Sequence, residues 1–194
     1  MRVWTIQPRE VYQAVAENGV FRCDGRKSMS NLRPYYKWLT SQMDKRIGPA
    51  PKGVTYPIWA WYKMDGLCKK PDLRGERWNN SSEGADYACI ELEIPDSEIL
   101  LSDFDMWSVI ILDGLISYTE EESKKLEAEY EKLSGSEADA FRSRTWEKAF
   151  DLGTDIDSDW ISANKWIQGT FWELRKEYVK GVTFFKIGIR KKPL

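Results

Sequence analysis

The sequence contains no histidine among its 194 residues. This absence excludes serine and cysteine triads with an imidazole base, HExxH metalloproteases, His-ligated zinc deaminases and Cys/His fingers. The GxxxxGK[ST] phosphate loop, the GxGxxG turn and the GxSxG elbow are also missing. Any chemistry must therefore depend on carboxylates, Lys, Tyr, Cys, backbone donors or a bound cofactor.

Cysteine and long apolar runs are scarce. Cys23, Cys68 and Cys89 are odd in number and form no CxxC motif, which argues against a disulfide framework and a thiolate zinc site. No apolar run approaches the roughly 20 residues that a membrane span needs. The first apolar stretch is soon interrupted by Arg9 and Glu10, so it does not resemble a secretion leader. We therefore expect a cytoplasmic protein with no membrane association.

Charge is unevenly distributed along the chain, although the net charge is only −2. Residues 1–80 contain 15 Lys and Arg against 7 Asp and Glu, whereas residues 81–194 contain 14 against 24. In one interpretation the two halves pack together and neutralise each other. In the other, the basic half presents a face for a phosphate-bearing ligand. A protein that binds nucleic acid usually has a more basic domain, so this pattern does not favour a nucleic-acid partner.

Hydrophobic periodicity predicts alternating strands and helices. In the first strand, Arg2, Trp4 and Ile6 are expected to face outward. One helix should run from Pro8 to a stop at Gly19, and Ser102 with Asp105 resembles the cap of a later helix. The other predicted strands lie at 20–23, 56–62, 87–94, 99–101 and 182–190, and the other predicted helices at 34–47, 119–133, 136–150 and 160–180.

The last predicted helix, at 160–180, has a stripe of apolar residues at helical spacing and is expected to end at Gly181. The stripe consists of Ile167, Phe171, Leu174 and Tyr178. Beside it, Gln168, Trp172 and Arg175 would share one face, and Thr170 and Glu173 the next. Such polar groups either satisfy backbone groups or line a cleft.

The order of these elements predicts the α+β class, with a mixed, largely antiparallel sheet and flanking helices. Nothing indicates a repeat or a flexible linker, so residues 1–194 are expected to form a single domain. The two charged helices at 119–150 are expected to form a solvated helical hairpin inserted into that domain.

Two groups of carboxylates could bind metal. Glu91 and Glu93 lie on one face of one strand, about 7 Å apart. With Asp72 they distantly resemble the PD…(D/E)xK pattern of metal-dependent nucleases, although Glu93 stands in place of the lysine. The alternative is a solvated strand face. Asp155, Asp157 and Asp159 alternate like a calcium loop that lacks its Gly and Glu, so we interpret them as a helix N-terminus and assign no metal site.

Aromatic residues are abundant, with ten tryptophans. Trp59, Trp61 and Tyr62, followed by Arg74, could form a wall that stacks a base and meets a phosphate. Aromatic residues in a covered strand are more often part of the core, and both interpretations stay open here.

Several motifs resemble a bacterial family described only as a domain of unknown function, family 3841. The resemblance spans nearly the whole chain and implies no activity. It is carried by Val3-Trp4-Thr5-Ile6-Gln7-Pro8, Tyr56-Pro57-Ile58-Trp59-Ala60-Trp61-Tyr62, Lys70-Pro71-Asp72-Leu73-Arg74, Glu91-Leu92-Glu93-Ile94-Pro95, Leu101-Ser102-Asp103-Phe104-Asp105-Met106-Trp107 and Ile167-Gln168-Gly169-Thr170-Phe171-Trp172-Glu173-Leu174.

A second resemblance concerns the fold. Gly19-Val20-Phe21 after a first strand and helix, and the later Glu93-Ile94-Pro95 turn, are similar to ADP-ribosyltransferase-like domains. The resemblance implies that NAD binds in a cleft between two small sheets. There a first-strand Arg or His, a middle aromatic residue or Ser, and a late Glu stabilise an oxocarbenium-like transition state. Here Trp4 and Thr5 occupy the first-strand position, and Glu173, predicted to be helical, does not match the late strand Glu. An inactive member fits this pattern as well as an active transferase.

The leading hypothesis is therefore an ADP-ribosyltransferase-like domain that binds a small nucleotide, with NAD as co-substrate if it is a transferase. The alternatives are a metal-dependent hydrolase or nuclease that uses the paired carboxylates, and a non-catalytic module that docks a protein partner through the hairpin. The candidate catalytic residues are Glu91, Glu93 and Glu173. The candidate ligand-binding residues are Trp4, Thr5, Trp59, Trp61, Tyr62, Arg74, Gln168 and Trp172.

Overall fold

The computed structural model of the chain describes residues 1–25, 30–74, 84–153 and 164–186. These residues form two sheets. The eight strands, in chain order, are β1 (Arg2–Pro8), β2 (Val20–Arg22), β3 (Ile58–Lys63), β4 (Asp86–Glu93), β5 (Leu100–Asp103), β6 (Ile167–Phe171), β7 (Glu173–Arg175) and β8 (Val179–Lys186).

The main sheet has six strands in the order β5-β6-β3-β1-β4-β8, and β2 pairs with β7 in a second, two-stranded sheet. Every strand pairing among the described residues is antiparallel. β1 lies in the interior of the main sheet, where β3 and β4 flank it. The predicted α+β class with a largely antiparallel sheet is confirmed.

Five α-helices accompany the sheets in the described part of the chain. They are α1 (Arg9–Asn18), α2 (Arg33–Ile47), α3 (Phe104–Ile110), α4 (Glu120–Tyr130) and α5 (Gly135–Thr145). The predicted stop of the first helix is confirmed, because Gly19 takes a left-handed conformation with φ of 81° and its N–H donates to the Val15 carbonyl. Among the described residues, no helix combines the length and apolarity that crossing a bilayer requires.

The predicted cap of α3 is wrong by one residue. β5 extends to Asp103, and it is this side chain, not Ser102 or Asp105, that accepts a hydrogen bond from the Met106 N–H at 3.0 Å. Asp103 also accepts one from the Asn164 N–H at 2.7 Å. One carboxylate therefore ends a strand, begins a helix and ties both to the segment that leads into β6.

The predicted helix at 160–180 is contradicted from residue 164 onward, and residues 160–163 lie outside the described part of the chain. The segment forms β6, β7, a 3₁₀ turn at Lys176–Tyr178 and the start of β8. Gly181 lies inside β8 and ends no helix. The four stripe residues are nevertheless buried, as predicted; they are Ile167, Phe171, Leu174 and Tyr178.

The polar residues of that segment therefore do not share helical faces. Gln168 and Thr170 are two residues apart in β6 and point to the same side of the main sheet. Glu173 and Arg175 are in β7, in the other sheet, and Trp172 lies between the two strands.

Helices and turns cover both faces of the main sheet. The core on one face includes Val3, Ile90 and Leu92 and is closed by Val15 of α1. The core on the other face is formed largely by α2, α3 and the 3₁₀ helix Trp146–Phe150. Because both faces are covered, Trp4, which was expected to face outward, is only 5% exposed.

The predicted hairpin at 119–150 is only partly separate from the domain. Thr119 caps α4 by accepting from the Glu122 N–H, and most of α4 and α5 is exposed, as expected of a solvated hairpin. The second helix ends at Thr145, before the predicted end at residue 150. Trp146 is then buried and donates from Nε1 to the Gly114 carbonyl, so the end of the hairpin belongs to the core. The Asp155, Asp157 and Asp159 motif and the strand beyond residue 186 lie outside the described residues.

Candidate functional site

Four residues singled out in the sequence occupy one row across the main sheet. Trp4 of β1 is directly opposite both Trp61 of β3 and Glu91 of β4. Trp61 is in turn opposite Gln168 of β6. Directly opposed residues of antiparallel strands point to the same face, so these four side chains project from one side of the sheet.

The aromatic part of this row is packed against other rings. Trp61 meets Phe104 at a centroid distance of 5.2 Å and Trp166 at 5.9 Å, both edge to face. Trp4 is buried, and its Nε1 has no hydrogen-bond partner among the described residues. Trp4 is thus the buried member of the row, whereas Trp61, Glu91 and Gln168 are half-buried, and none of the four lines the two cavities described below.

The candidate metal-binding carboxylates are each paired with a cation. Glu91 lies 3.2 Å from Arg2, and Glu93 lies 3.5 Å from Lys180. Asp72 accepts two side-chain hydrogen bonds and one backbone hydrogen bond from Arg74, which lower the pKa of its carboxyl group to about 2. Among the described residues no three metal-ligating side chains gather around one point.

A cavity of about 580 Å³ opens where β1 ends and β3 begins. Its walls also include parts of α1, β2 and the start of α2. We call it the aromatic cleft, and its aromatic and neighbouring apolar residues are Val11, Phe21, Tyr36, Tyr56 and Trp59. Its volume falls within the roughly 300–1,000 Å³ of typical small-molecule sites.

The rings of the aromatic cleft support one another. Tyr36 lies 5.1 Å from Tyr56 and 6.4 Å from Trp59, measured between ring centroids. Trp107 backs Trp59 at 5.1 Å. Burial raises the pKa of the Tyr36 hydroxyl, which therefore stays protonated at neutral pH. The cleft offers flat apolar surfaces and a neutral hydroxyl.

Thr5 fixes one wall of this cleft from beneath. Its hydroxyl donates to the backbone carbonyl of Trp59 at 2.7 Å and accepts from the amide of Gln7 at 2.8 Å. Gln7 itself lines the cleft. Thr5 is 1% exposed, so its side chain supports Trp59 from within the core.

A second cavity, of about 670 Å³, adjoins the aromatic cleft and shares Cys23, Asp24 and Tyr56 with it. We call it the polar cavity. Two of its lining residues, Arg22 and Arg33, are cationic and one, Asp24, is anionic. Together the two cavities place an aromatic surface beside two guanidinium groups.

Gly25 sets the position of the Tyr56 ring between the two cavities. A Cβ atom at residue 25 would lie 2.0 Å from Cδ2 of Tyr56 and 2.2 Å from Cε2. A side chain at this position would therefore displace the ring, because no real Cβ contact is that short. The glycine allows the ring to lie directly against the backbone.

Glu173 forms an ion pair with Arg22, which lines the polar cavity. It is 9% exposed and is opposite Arg22 across the two-stranded sheet. Its Oε1 accepts a hydrogen bond from Nε of Arg22 at 2.7 Å and lies 2.7 Å from Nη2 of the same residue. Its Oε2 accepts one from Nε of Arg175 at 3.1 Å and lies 3.1 Å from Nη2 of that residue. Glu173 is thus a strand residue, whereas the sequence predicted a helical one.

The remaining candidates lie elsewhere in the fold. Tyr62 is half-buried, and a hydrogen bond with the Cys68 thiol raises the pKa of its hydroxyl. Trp172 is buried and donates from Nε1 to the Gly48 carbonyl at 3.0 Å. Arg74 is 91% exposed in its pair with Asp72. Of the predicted ligand-binding residues, the structure places Trp59 in the wall of the aromatic cleft and Thr5 behind it.

Sequence reasoning missed Tyr36, Tyr56, Arg22 and Arg33. They come from three separate segments: Arg22 lies in β2, Arg33 and Tyr36 lie in α2, and Tyr56 precedes β3. The hydrophobic pattern by which these segments were interpreted does not indicate which of them meet. The Gly19-Val20-Phe21 motif was the available signal, because Phe21 lines the aromatic cleft and Arg22 follows it.

Residues 2–180 match the family described as "Domain of unknown function (DUF3841)", and the chain belongs to that family. No curated protein and no solved structure matches the chain.

Proposed function

We propose that the protein binds a small nucleotide, with its base in the aromatic cleft and its phosphate in the polar cavity. The observation that carries this proposal is the direct contact of the two cavities, one walled by Tyr36, Tyr56 and Trp59 and the other containing Arg22 and Arg33. Aromatic faces stack any base, and guanidinium groups match phosphate oxygens in charge and geometry.

NAD is the nucleotide to test first. The ADP-ribosyltransferase-like resemblance implies a cleft between two sheets. Phe21, on a strand of the small sheet, and Trp59, on a strand of the main sheet, both line the aromatic cleft. These features support an NAD-binding role without requiring a histidine.

The first experiment is calorimetric titration of NAD, AMP and adenosine into wild type and Trp59→Leu. Loss of one stacking ring costs about 1–3 kcal/mol, which corresponds to a Kd increase of about 5-fold to 150-fold. We expect Trp59→Leu to weaken all three ligands within that range.

Trp61→Leu is the matched control, since Trp61 lies two residues further along the same strand and packs on Phe104 and Trp166 instead. It should bind the same ligands within about 2-fold of wild type. If millimolar NAD, AMP and adenosine give no binding heat with wild type, the proposal is wrong.

A further inference from the structure

The carboxylate of Glu173 is held from both sides. Four guanidinium nitrogens from two arginines lie 2.7–3.1 Å from its two oxygens, and the two Nε atoms among them donate hydrogen bonds. The Glu173 side chain is 8% exposed, whereas those of Arg22 and Arg175 are 52% and 37% exposed. A buried anion is thus compensated by two cations that reach the surface.

Further contacts fix Arg175 in turn. Its Nη1 donates to the Tyr178 hydroxyl at 2.9 Å, and this hydroxyl donates to Glu98 at 2.5 Å. Arg175 also lies 3.6 Å from Glu98. Because these contacts anchor Arg175, the carboxylate plane of Glu173 has one favoured orientation.

That orientation determines where Arg22 can point. Glu173 engages only the Nε and Nη2 edge of the Arg22 guanidinium, and the strands β2 and β7 hold the two residues directly opposite each other. Arg22 at the same time lines the polar cavity. An arginine left alone on a three-residue edge strand would sample many rotamers, and ordering it on binding would cost affinity.

The same contacts make Glu173 a poor base or nucleophile. Each carboxylate oxygen already faces two guanidinium nitrogens at 2.7–3.1 Å, so these contacts occupy its lone pairs. A reacting carboxylate would have to abandon one arginine first. The arrangement is suited to orienting a cation.

We infer that Glu173 is a positioning residue that presents Arg22 to a phosphate group in the polar cavity. This inference rests on the proposed nucleotide function and specifies it, because it assigns the recognised group as a phosphate attached to the base-bearing ligand. It replaces the catalytic role that the sequence suggested for Glu173.

The test compares AMP with adenosine, which differ only by the phosphate, in wild type, Glu173→Gln and Arg22→Gln. The hydrogen-bonded charge pair between Arg22 and the phosphate contributes to the binding free energy of AMP, so we expect AMP to bind about 10-fold more weakly to each variant. Adenosine should bind with unchanged Kd. The double variant should lose no more AMP affinity than Arg22→Gln alone, because Glu173 acts through Arg22.

Glu147→Gln is the control variant, since Glu147 also pairs with an arginine, Arg46, but lines neither cavity and has no part in the Glu173 network. It should leave the ratio of AMP to adenosine affinity unchanged. Circular dichroism of each variant checks folding, and Arg22→Gln, which changes a half-exposed residue, keeps the test valid if Glu173→Gln does not fold.

The possible results separate the two proposals. If wild type binds neither AMP nor adenosine, the nucleotide function is wrong. Suppose that wild type binds both ligands. If folded Glu173→Gln then loses AMP and adenosine affinity equally, or loses neither, the positioning role of Glu173 is overturned, whereas the proposed binding of a nucleotide in the aromatic cleft stands. Loss of AMP affinity in Arg22→Gln but not in Glu173→Gln overturns the positioning role as well.

Discussion

At the scale of single residues, ionisation of Tyr178 makes the stability of the fold depend on pH. Burial and its hydrogen bond to Glu98 raise the pKa of the Tyr178 hydroxyl to about 12, from an ordinary value near 10. Because the folded-state pKa is the higher one, the stabilisation is complete below pH 10 and is lost as the pH rises from about 10 to 12.

We therefore expect the stability difference between wild type and Tyr178→Phe to change over that range. Wild type should be more stable at pH 9 by about 1 kcal/mol, the usual net value of such a hydrogen bond, and this advantage should shrink toward pH 12. Urea unfolding at several pH values measures it, and lysine titration, common to both proteins, cancels in the difference. Parallel stability curves would contradict the assignment.

The candidate site could be predicted only in part, for reasons that particular residues show. Trp59 was identified because it lies in a predicted strand with several other aromatic residues, a pattern that fits either a core or a stacking surface. Tyr36 lies on a helix whose apolar spacing resembled that of plain core, and Arg33 is one basic residue among many in that half of the chain. Which of them meet depends on the strand order β3-β1-β4, which hydrophobic periodicity does not specify.

At the scale of elements, β6 depends on a residue without a side chain. A Cβ atom at Gly169 would lie 2.5 Å from Cδ1 and 2.8 Å from Cγ1 of buried Ile99. We expect Gly169→Ala to destabilise the protein by about 1–3 kcal/mol, the usual cost of overpacking a core. Thermal or urea unfolding measures the change.

The double variant Gly169→Ala with Ile99→Ala provides the control, because truncating Ile99 makes room for the new methyl group. If overpacking is the cause, Gly169→Ala should cost less in the Ile99→Ala background than in wild type. Equal costs in both backgrounds would show that the clash is not what destabilises β6.

The helical hairpin offers a second prediction at this scale. Trp146 is 6% exposed and contacts Tyr35 and Trp38 of α2, whereas Phe141 is half-buried and contacts Tyr130 of the hairpin itself. Trp146→Ala should cost about 3–5 kcal/mol and Phe141→Ala about 1 kcal/mol. Urea denaturation measures both, and equal costs would mean that the hairpin is as integrated as the core.

The helices and strands could be predicted where the spacing of apolar residues fitted only the period of a strand or only that of a helix. Alternation placed Ala88, Ile90 and Leu92 on one face of β4, and all three are fully buried. The last segment failed because Ile167 and Phe171 are four residues apart, a spacing that fits one face of a helix and one face of a strand equally well. Gly169 between them disfavours a helix, and this low helix propensity is the signal in the sequence that favours a strand here.

At the scale of the whole molecule, long-range pairing joins the basic and acidic parts of the chain. The ion pairs Arg2–Glu91, Arg22–Glu173 and Arg46–Glu147 each connect a cation from residues 1–80 with an anion from residues 81–194. They agree with the interpretation that the two halves neutralise each other. Part of the basic charge of residues 1–80 lies at the polar cavity, where Arg22 and Arg33 line the wall together with Asp24.

This topology also predicts which parts open first. β1 and β4 each pair with a neighbouring strand on both sides. The apolar side chains in the middle of these strands, such as Val3, Trp4, Ile90 and Leu92, are at most 5% exposed. In α4 only Ser123 is buried. We therefore expect hydrogen exchange, followed by mass spectrometry of peptides, to be slowest in β1 and β4 and orders of magnitude faster in α4.

α2 is the internal reference for that measurement, because it is a helix of similar hydrogen bonding whose Leu39 and Met43 are buried in the core. Its amides should exchange more slowly than those of α4, since opening α2 requires exposure of that core. If α4 is protected as strongly as α2, the hairpin does not open on its own and unfolds with the sheet. If β1 exchanges as fast as α4, the order of strands that places β1 inside the sheet is wrong, and the aromatic cleft at its end loses its framework.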